Sequence, residues 1–89
     1  MLQKQYTNEE IARLGNDLYN RQIRDQVMPQ QKGKFLVLDL ESGDYAIDED
    51  DLRAEEILRI RRPMGIFFGL RIGYKSAYTL SGHMIEETV

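Results

Sequence analysis

The chain contains no cysteine and no tryptophan, a single histidine (His83), two prolines (Pro29 and Pro63), and no long uninterrupted run of apolar residues. Without cysteine there are no disulfide staples, no thiolate zinc ligands and no thiol nucleophile, and the composition suits a reducing compartment. A bilayer span needs roughly 20 consecutive apolar residues, so no membrane association is expected. The first residues, Met1-Leu2-Gln3-Lys4-Gln5, lack the apolar core of a secretory signal. The expectation is a cytoplasmic protein.

What is present is ordinary in amount and uneven in arrangement. With 89 residues, 42% hydrophobic and 30% charged, the chain reads as one globular domain, 1–89. A chain of this length buries only about 60% to 65% of its unfolded surface, so a partner or a second copy would add usefully to its core. The net charge of -3 conceals segregation. Between Gly33 and Leu58 there are nine acids against two bases, and between Arg59 and Gly82 five bases and no acid. Such a dipole can orient a charged partner, while the overall sign disfavours indiscriminate nucleic-acid binding.

Local signals divide the chain into a helix at 6–28, a sheet-and-helix module at 33–81 and a tail at 82–89 that is expected to be mobile. Thr7 and Glu10 form a capping box, with Tyr6 and Ile11 in staple positions. Ile11, Leu14 and Leu18 then recur on one helical face, widened by Ala12, Tyr19 and Ile23, and Pro29 stops the helix near Val27. Gly15 interrupts that face, either tolerated or admitting another backbone. Phe35 to Leu40 is apolar on both faces and predicts a central strand. The turn Glu41-Ser42-Gly43-Asp44 returns it antiparallel through Tyr45 to Ile47. Asp48 is the expected cap of a second helix, stapled by Ile47 and Leu52, with Ala54, Ile57 and Leu58 facing the sheet. Glu49, Asp50 and Asp51 complement its N-terminus, and Arg59, Arg61 and Arg62 its C-terminus. Pro63-Met64-Gly65 ends that helix. Ile66, Phe68, Leu70 and Ile72 alternate along a third strand, Gly73 to Ser76 reads as a turn, and Ala77 to Leu80 as a fourth strand. The predicted fold class is α+β: an N-terminal helix followed by a β-β-α-β-β antiparallel sheet of order 2-1-3-4.

Chemistry-bearing residues are few. The acids Asp48 to Asp51 lack the glycine and distant glutamate of a calcium loop and read as helix caps, so no metal and no cofactor is expected. Asp39, following an apolar strand, is the one carboxylate with a claim to burial. As a strand-end residue it is expected to pair with a nearby arginine such as Arg71. His83 lies in the tail and is not expected to act as a base. Arg59, Arg61, Arg62, Arg71 and Lys75, interleaved with Phe67, Tyr74 and Tyr78, are the only feature resembling a nucleic-acid surface.

The run Gly33-Lys34-Phe35-Leu36-Val37-Leu38-Asp39, then Ser42-Gly43-Asp44-Tyr45, the helix, and Leu70-Arg71-Ile72-Gly73-Tyr74 resembles a group of short uncharacterised bacterial proteins built as a Gly-Lys-aromatic strand, a glycine hairpin, a helix and a closing strand. The element order is also similar to that of HicB-type antitoxins, which block a small toxin, although the aromatic-and-proline segment after the hairpin is missing here. These resemblances cover about half the chain and carry no catalytic residue. They imply a small bacterial protein-interaction or oligomerising module, antitoxin-like in one version, with no enzymatic activity of its own. Its partner-binding surface would be Ile11, Leu14 and Leu18 together with an open sheet edge, facing a protein partner or a second copy. The alternative is a nucleic-acid-binding protein using Arg59, Arg61, Arg62, Arg71 and Lys75.

Overall fold

Thr7 and Glu10 exchange side-chain and backbone hydrogen bonds at 3.1 and 3.0 Å, and this capping box starts helix α1 (Asn8–Leu18). The computed structural model describes residues 5–76 and 84–86. Helix α1 continues through a π turn (Tyr19–Ile23) into a short last segment, α2 (Arg24–Val27). Its buried residues are Ala12, Gly15, Tyr19, Ile23 and Val27. From Gly15 onward they recur at every fourth position. In a regular α-helix each such step overshoots a full turn by about 40°, which would carry Val27 away from the sheet. The π turn, marked by the bond from the Arg24 amide to the Tyr19 carbonyl, absorbs the surplus and keeps Ile23 and Val27 in line.

The line of closest contact therefore differs from the face read in the sequence. Ile11 and Leu18 flank it, half-buried against the core, and Leu14 stands outside the core cluster. Gly15 is the reason. A Cβ at that position would overlap the Phe68 ring, so helix and sheet meet most closely there and the helix is turned to present Gly15 rather than Leu14.

The sheet is built from β1 (Phe35–Asp39), β2 (Tyr45–Asp48) and β3 (Phe67–Arg71) in the order β2-β1-β3, with β1 antiparallel to both neighbours. Alternation along the strands produces two cores. Leu36, Leu38, Phe68, Leu70 and Ile72 pack with the N-terminal helix on one face. Val37 and Ala46 pack with Ala54 and Leu58 of helix α3 (Asp51–Arg61) on the other. Strand β1 is thus covered on both sides, as its doubly apolar sequence requires. Leu38 and Phe68, paired in register, are both buried.

Helix α3 corrects two expectations. Its cap is Asp50, whose carboxylate accepts from the Leu52 amide at 3.0 Å, and not Asp48. Asp48 is the last residue of β2, paired with Phe35, and extended strand geometry continues too far for it to cap; its carboxylate instead accepts from the Asp50 amide at 2.9 Å. The inner face is also narrower than read. Only Ala54 and Leu58 are buried, while Ile57 is 36% and Leu52 68% exposed, so the Ile47–Leu52 staple does not form.

The four-stranded sheet is corrected as well. The Ile72 amide is tied to the Lys34 carbonyl and the Ile72 carbonyl to the Gly33 amide, both at 2.8 Å, and Gly73 then turns the chain at a φ of 87°. Tyr74–Ser76, read as a turn, is strand β4, and it pairs antiparallel with β5 (Met84–Glu86), part of the expected tail, in a separate two-stranded sheet. The expected fourth strand at 77–80, with Tyr78, and His83 lie outside the described residues.

Candidate functional site

Asp39, the one buried charged residue among those described, is 3% exposed and sits where β1 leaves the core. Its carboxylate accepts from the Ser42 hydroxyl at 2.7 Å and from the amides of Ile66, Ser42 and Glu41 at 3.0, 3.2 and 3.3 Å. Burial opposes its charge, but the Ser42 hydroxyl and the Ile66, Glu41 and Ser42 amides outweigh that penalty and hold its pKa below the ordinary 3.8. Asp39 does not pair with Arg71. It pins the hairpin tip and the strand that follows α3 to the end of β1, and a carboxylate so fully engaged as an acceptor is suited to anchoring rather than to proton transfer. An open groove of about 390 Å³ beside it is walled by Glu41, Arg61, Arg62 and Met64.

The basic residues named from the sequence are mostly spent within the chain. Arg61 grips Asp44 with Nε and Nη2 at 3.0 and 3.2 Å, and Arg62 Nε donates to the same carboxylate at 3.3 Å. Arg59 pairs with Glu55 at 3.1 Å and lies 5.2 Å from the centre of the Phe67 ring. Arg71 donates to the Gly33 carbonyl at 3.0 Å and stacks between Tyr74 (4.5 Å) and Phe35 (5.6 Å). Lys75 is a backbone position on β4 opposite Ile85. Among the described residues no cluster of histidine and carboxylate side chains is placed to hold a metal, and no helix is long and apolar enough to cross a membrane.

The Asp44–Arg61 pair has a further consequence at the sheet edge. The Asp39 amide donates to the Asp44 carbonyl at 2.9 Å, which sets the phase of the β1–β2 ladder: Tyr45 and Ile47 direct their backbone groups outward. At Tyr45 both groups are covered, the amide by Asp44 Oδ1 at 2.9 Å and the carbonyl by Arg61 Nη2 at 2.7 Å. The outer edge of β2 is thereby blunted by a charged side-chain cover.

The outer edge of β3 has the opposite character. The Leu40 amide donates to the Ile66 carbonyl at 2.9 Å and the Ile72 amide to the Lys34 carbonyl at 2.8 Å, so Phe67, Gly69 and Arg71 direct their amides and carbonyls away from β1. Strand β3 has β1 as its only strand partner among the described residues. Gly69, at its centre, is exposed, and neither proline nor a central charge interrupts the edge.

Of the helix residues named from the sequence, Ile11 and Leu18 already contribute to the core, whereas Leu14 lines a groove of about 310 Å³ with Tyr6, Asp17, Arg21 and Leu40. Sequence reading named an open edge without saying which, and its order 2-1-3-4 placed the third strand inside the sheet, whereas among the described residues β3 is an outer strand. The overlooked signal was Gly69, a glycine in the middle of an apolar strand. Comparison of the chain with protein-family models, with curated proteins and with solved structures returns no match.

Proposed function

We propose that this chain is a protein-interaction module that joins its partner by adding a strand along β3. One observation carries the reading: of the two outer edges of the sheet, β2 is covered at Tyr45 by Asp44 and Arg61, while β3 offers Phe67, Gly69 and Arg71 with Gly69 exposed. Strand addition draws affinity from main-chain hydrogen bonds and selectivity from alternate side chains, and β3 supplies both. On this reading the chain works by binding and carries no chemistry of its own; an antitoxin that masks a small toxin is one role of that kind. The nucleic-acid alternative is weakened by the internal partners of Arg59, Arg61, Arg62 and Arg71.

The test is a photo-crosslinking phenylalanine analogue placed in the full chain, in cells, at position 67, which is already a phenylalanine, and separately at position 47. A discrete covalent adduct from 67 and none from 47 is the expected outcome. No adduct from 67, or one from 47 alone, would overturn the reading.

A further inference from the structure

We infer that the strand received by the β3 edge is β3 of a second copy of this chain, antiparallel, about a two-fold axis through Gly69. The inference rests on the strand-addition reading and names its partner. A two-fold interface requires a surface complementary to itself, with each residue opposite its counterpart in the other copy. The segment Ile66-Phe67-Phe68-Gly69-Leu70-Arg71-Ile72 meets that requirement when paired with its own reverse. Ile66 falls opposite Ile72, Phe68 opposite Leu70, Phe67 opposite Arg71, and Gly69 opposite itself.

Each pairing is chemically sound. Phe68 and Leu70 point to the face covered by the N-terminal helix, so their cross-strand contact extends the apolar core from one copy into the next. Phe67, Gly69 and Arg71 share the α3 face. There the Arg71 guanidinium, already held among aromatic rings by the Gly33 carbonyl, meets the ring of Phe67 from the second copy, and no like charges stand opposite each other. The outward amide and carbonyl of Phe67 in each copy bond those of Arg71 in the other, and Gly69 bonds its twin.

The second, independent support is that nothing among the described residues accounts for a glycine at 69. Among the described glycines, Gly33, Gly43 and Gly73 have positive φ, and a Cβ at Gly15 or Gly65 would overlap an aromatic ring. At Gly69 φ is not positive, and a Cβ would meet only the Leu36 carbonyl oxygen and Val37 Cγ2 at 3.8 Å, which is ordinary contact. Glycine inside a strand weakens it. At the two-fold axis residue 69 stands opposite its own copy, and glycine leaves that crossing free of paired side chains.

Light scattering of the full wild-type chain at micromolar concentration should return about double the 10.4 kDa of one chain. Gly69→Pro should return a monomer, because it removes an amide that points outward and leaves the β1–β3 bonds intact; its circular dichroism and cooperative melting report whether it remains folded. Phe67→Lys, which sets a cation opposite Arg71 of the second copy, should weaken the dimer at least tenfold. Phe67→Glu, which loses the same ring but faces Arg71 with a carboxylate, should keep it. A wild-type monomer, a dimer that persists in folded Gly69→Pro, or equal behaviour of the two Phe67 variants would overturn self-pairing. A crosslinked adduct from position 67 of any mass other than the dimer would overturn it too, while leaving strand addition to a different protein standing. Failure of both readings is distinct: a wild-type monomer with no adduct from 67.

Discussion

Gly15 and Asp39 show how one position can be decided by a contact that its neighbours in sequence do not reveal. Alanine is the better helix former by about 1 kcal/mol, so on propensity alone Gly15→Ala should stabilise α1. The Phe68 ring reverses the sign: the added methyl must displace a core side chain, and the expected outcome is a loss of about 1 to 3 kcal/mol, read from the denaturant midpoint. A midpoint raised by the substitution would show that the helix does not sit against Phe68. At Asp39 the folded state favours the carboxylate, so its contribution is complete above the unfolded value of 3.8 and is lost as pH falls through the lower folded value. Asp39→Asn replaces one acceptor oxygen by a donor facing backbone amides and should cost roughly 2 to 3 kcal/mol at pH 7. The gap to wild type should narrow below pH 3.8 as Asp39 protonates. A gap independent of pH would remove the ionised socket from the account.

At the scale of elements, the ends of helices divide into those legible from local sequence and those set by what precedes them. The Thr7 box needed only residues Thr7 to Glu10, and it forms as read. The cap of α3 depended on where β2 ends, which is fixed by the Phe35–Asp48 pair across the sheet and is invisible in the run Asp48-Glu49-Asp50-Asp51. Asp50→Ala is therefore expected to cost about 0.5 to 2 kcal/mol in thermal or denaturant unfolding, and more than Asp48→Ala, which removes a bond within the preceding turn and a long, largely exposed ion pair with Arg53 at 4.0 Å. Equal losses, or a larger one at Asp48, would restore Asp48 as the cap. The π turn belongs to the same class of feature. Local propensity runs through Tyr19 to Ile23 without a break, and only the need to keep Gly15, Tyr19, Ile23 and Val27 against one flat surface demands the extra residue.

At the scale of the molecule, the charge segregation turns inward. The basic end of α3 folds onto the acidic hairpin, so Arg61 and Arg62 close on Asp44, and the dipole read from sequence becomes the cover of one sheet edge. In an assembly paired through β3, the cover at Tyr45 obstructs further addition along β2; with both edges open, the same rules would permit continued addition. Arg61→Ala uncovers the Tyr45 carbonyl and loosens Asp44, so it should yield species larger than a dimer whose share grows with concentration, measured by sedimentation velocity. Sedimentation identical to wild type would mean that Arg61 plays no part in protecting the edge.

The sequence by itself determined the mixed α+β class, the antiparallel β1–β2 hairpin, the capping box at Thr7 and the core strand from Phe35, because each depends on periodicity, turn glycine or cap chemistry within a few residues; of the expected order 2-1-3-4 the sheet keeps β2-β1-β3. Only the tertiary structure decided which helical line meets the sheet, which aspartate caps α3, that Asp39 anchors backbone amides rather than an arginine, and that Tyr74–Ser76 pairs in a separate two-stranded sheet. It also decided which edge is covered. The physical reason is common to all of these: each is fixed by partners far apart in sequence, such as Gly15 with Phe68 or Arg61 with the Tyr45 carbonyl, and a contact of that kind leaves no periodic trace in the elements it joins.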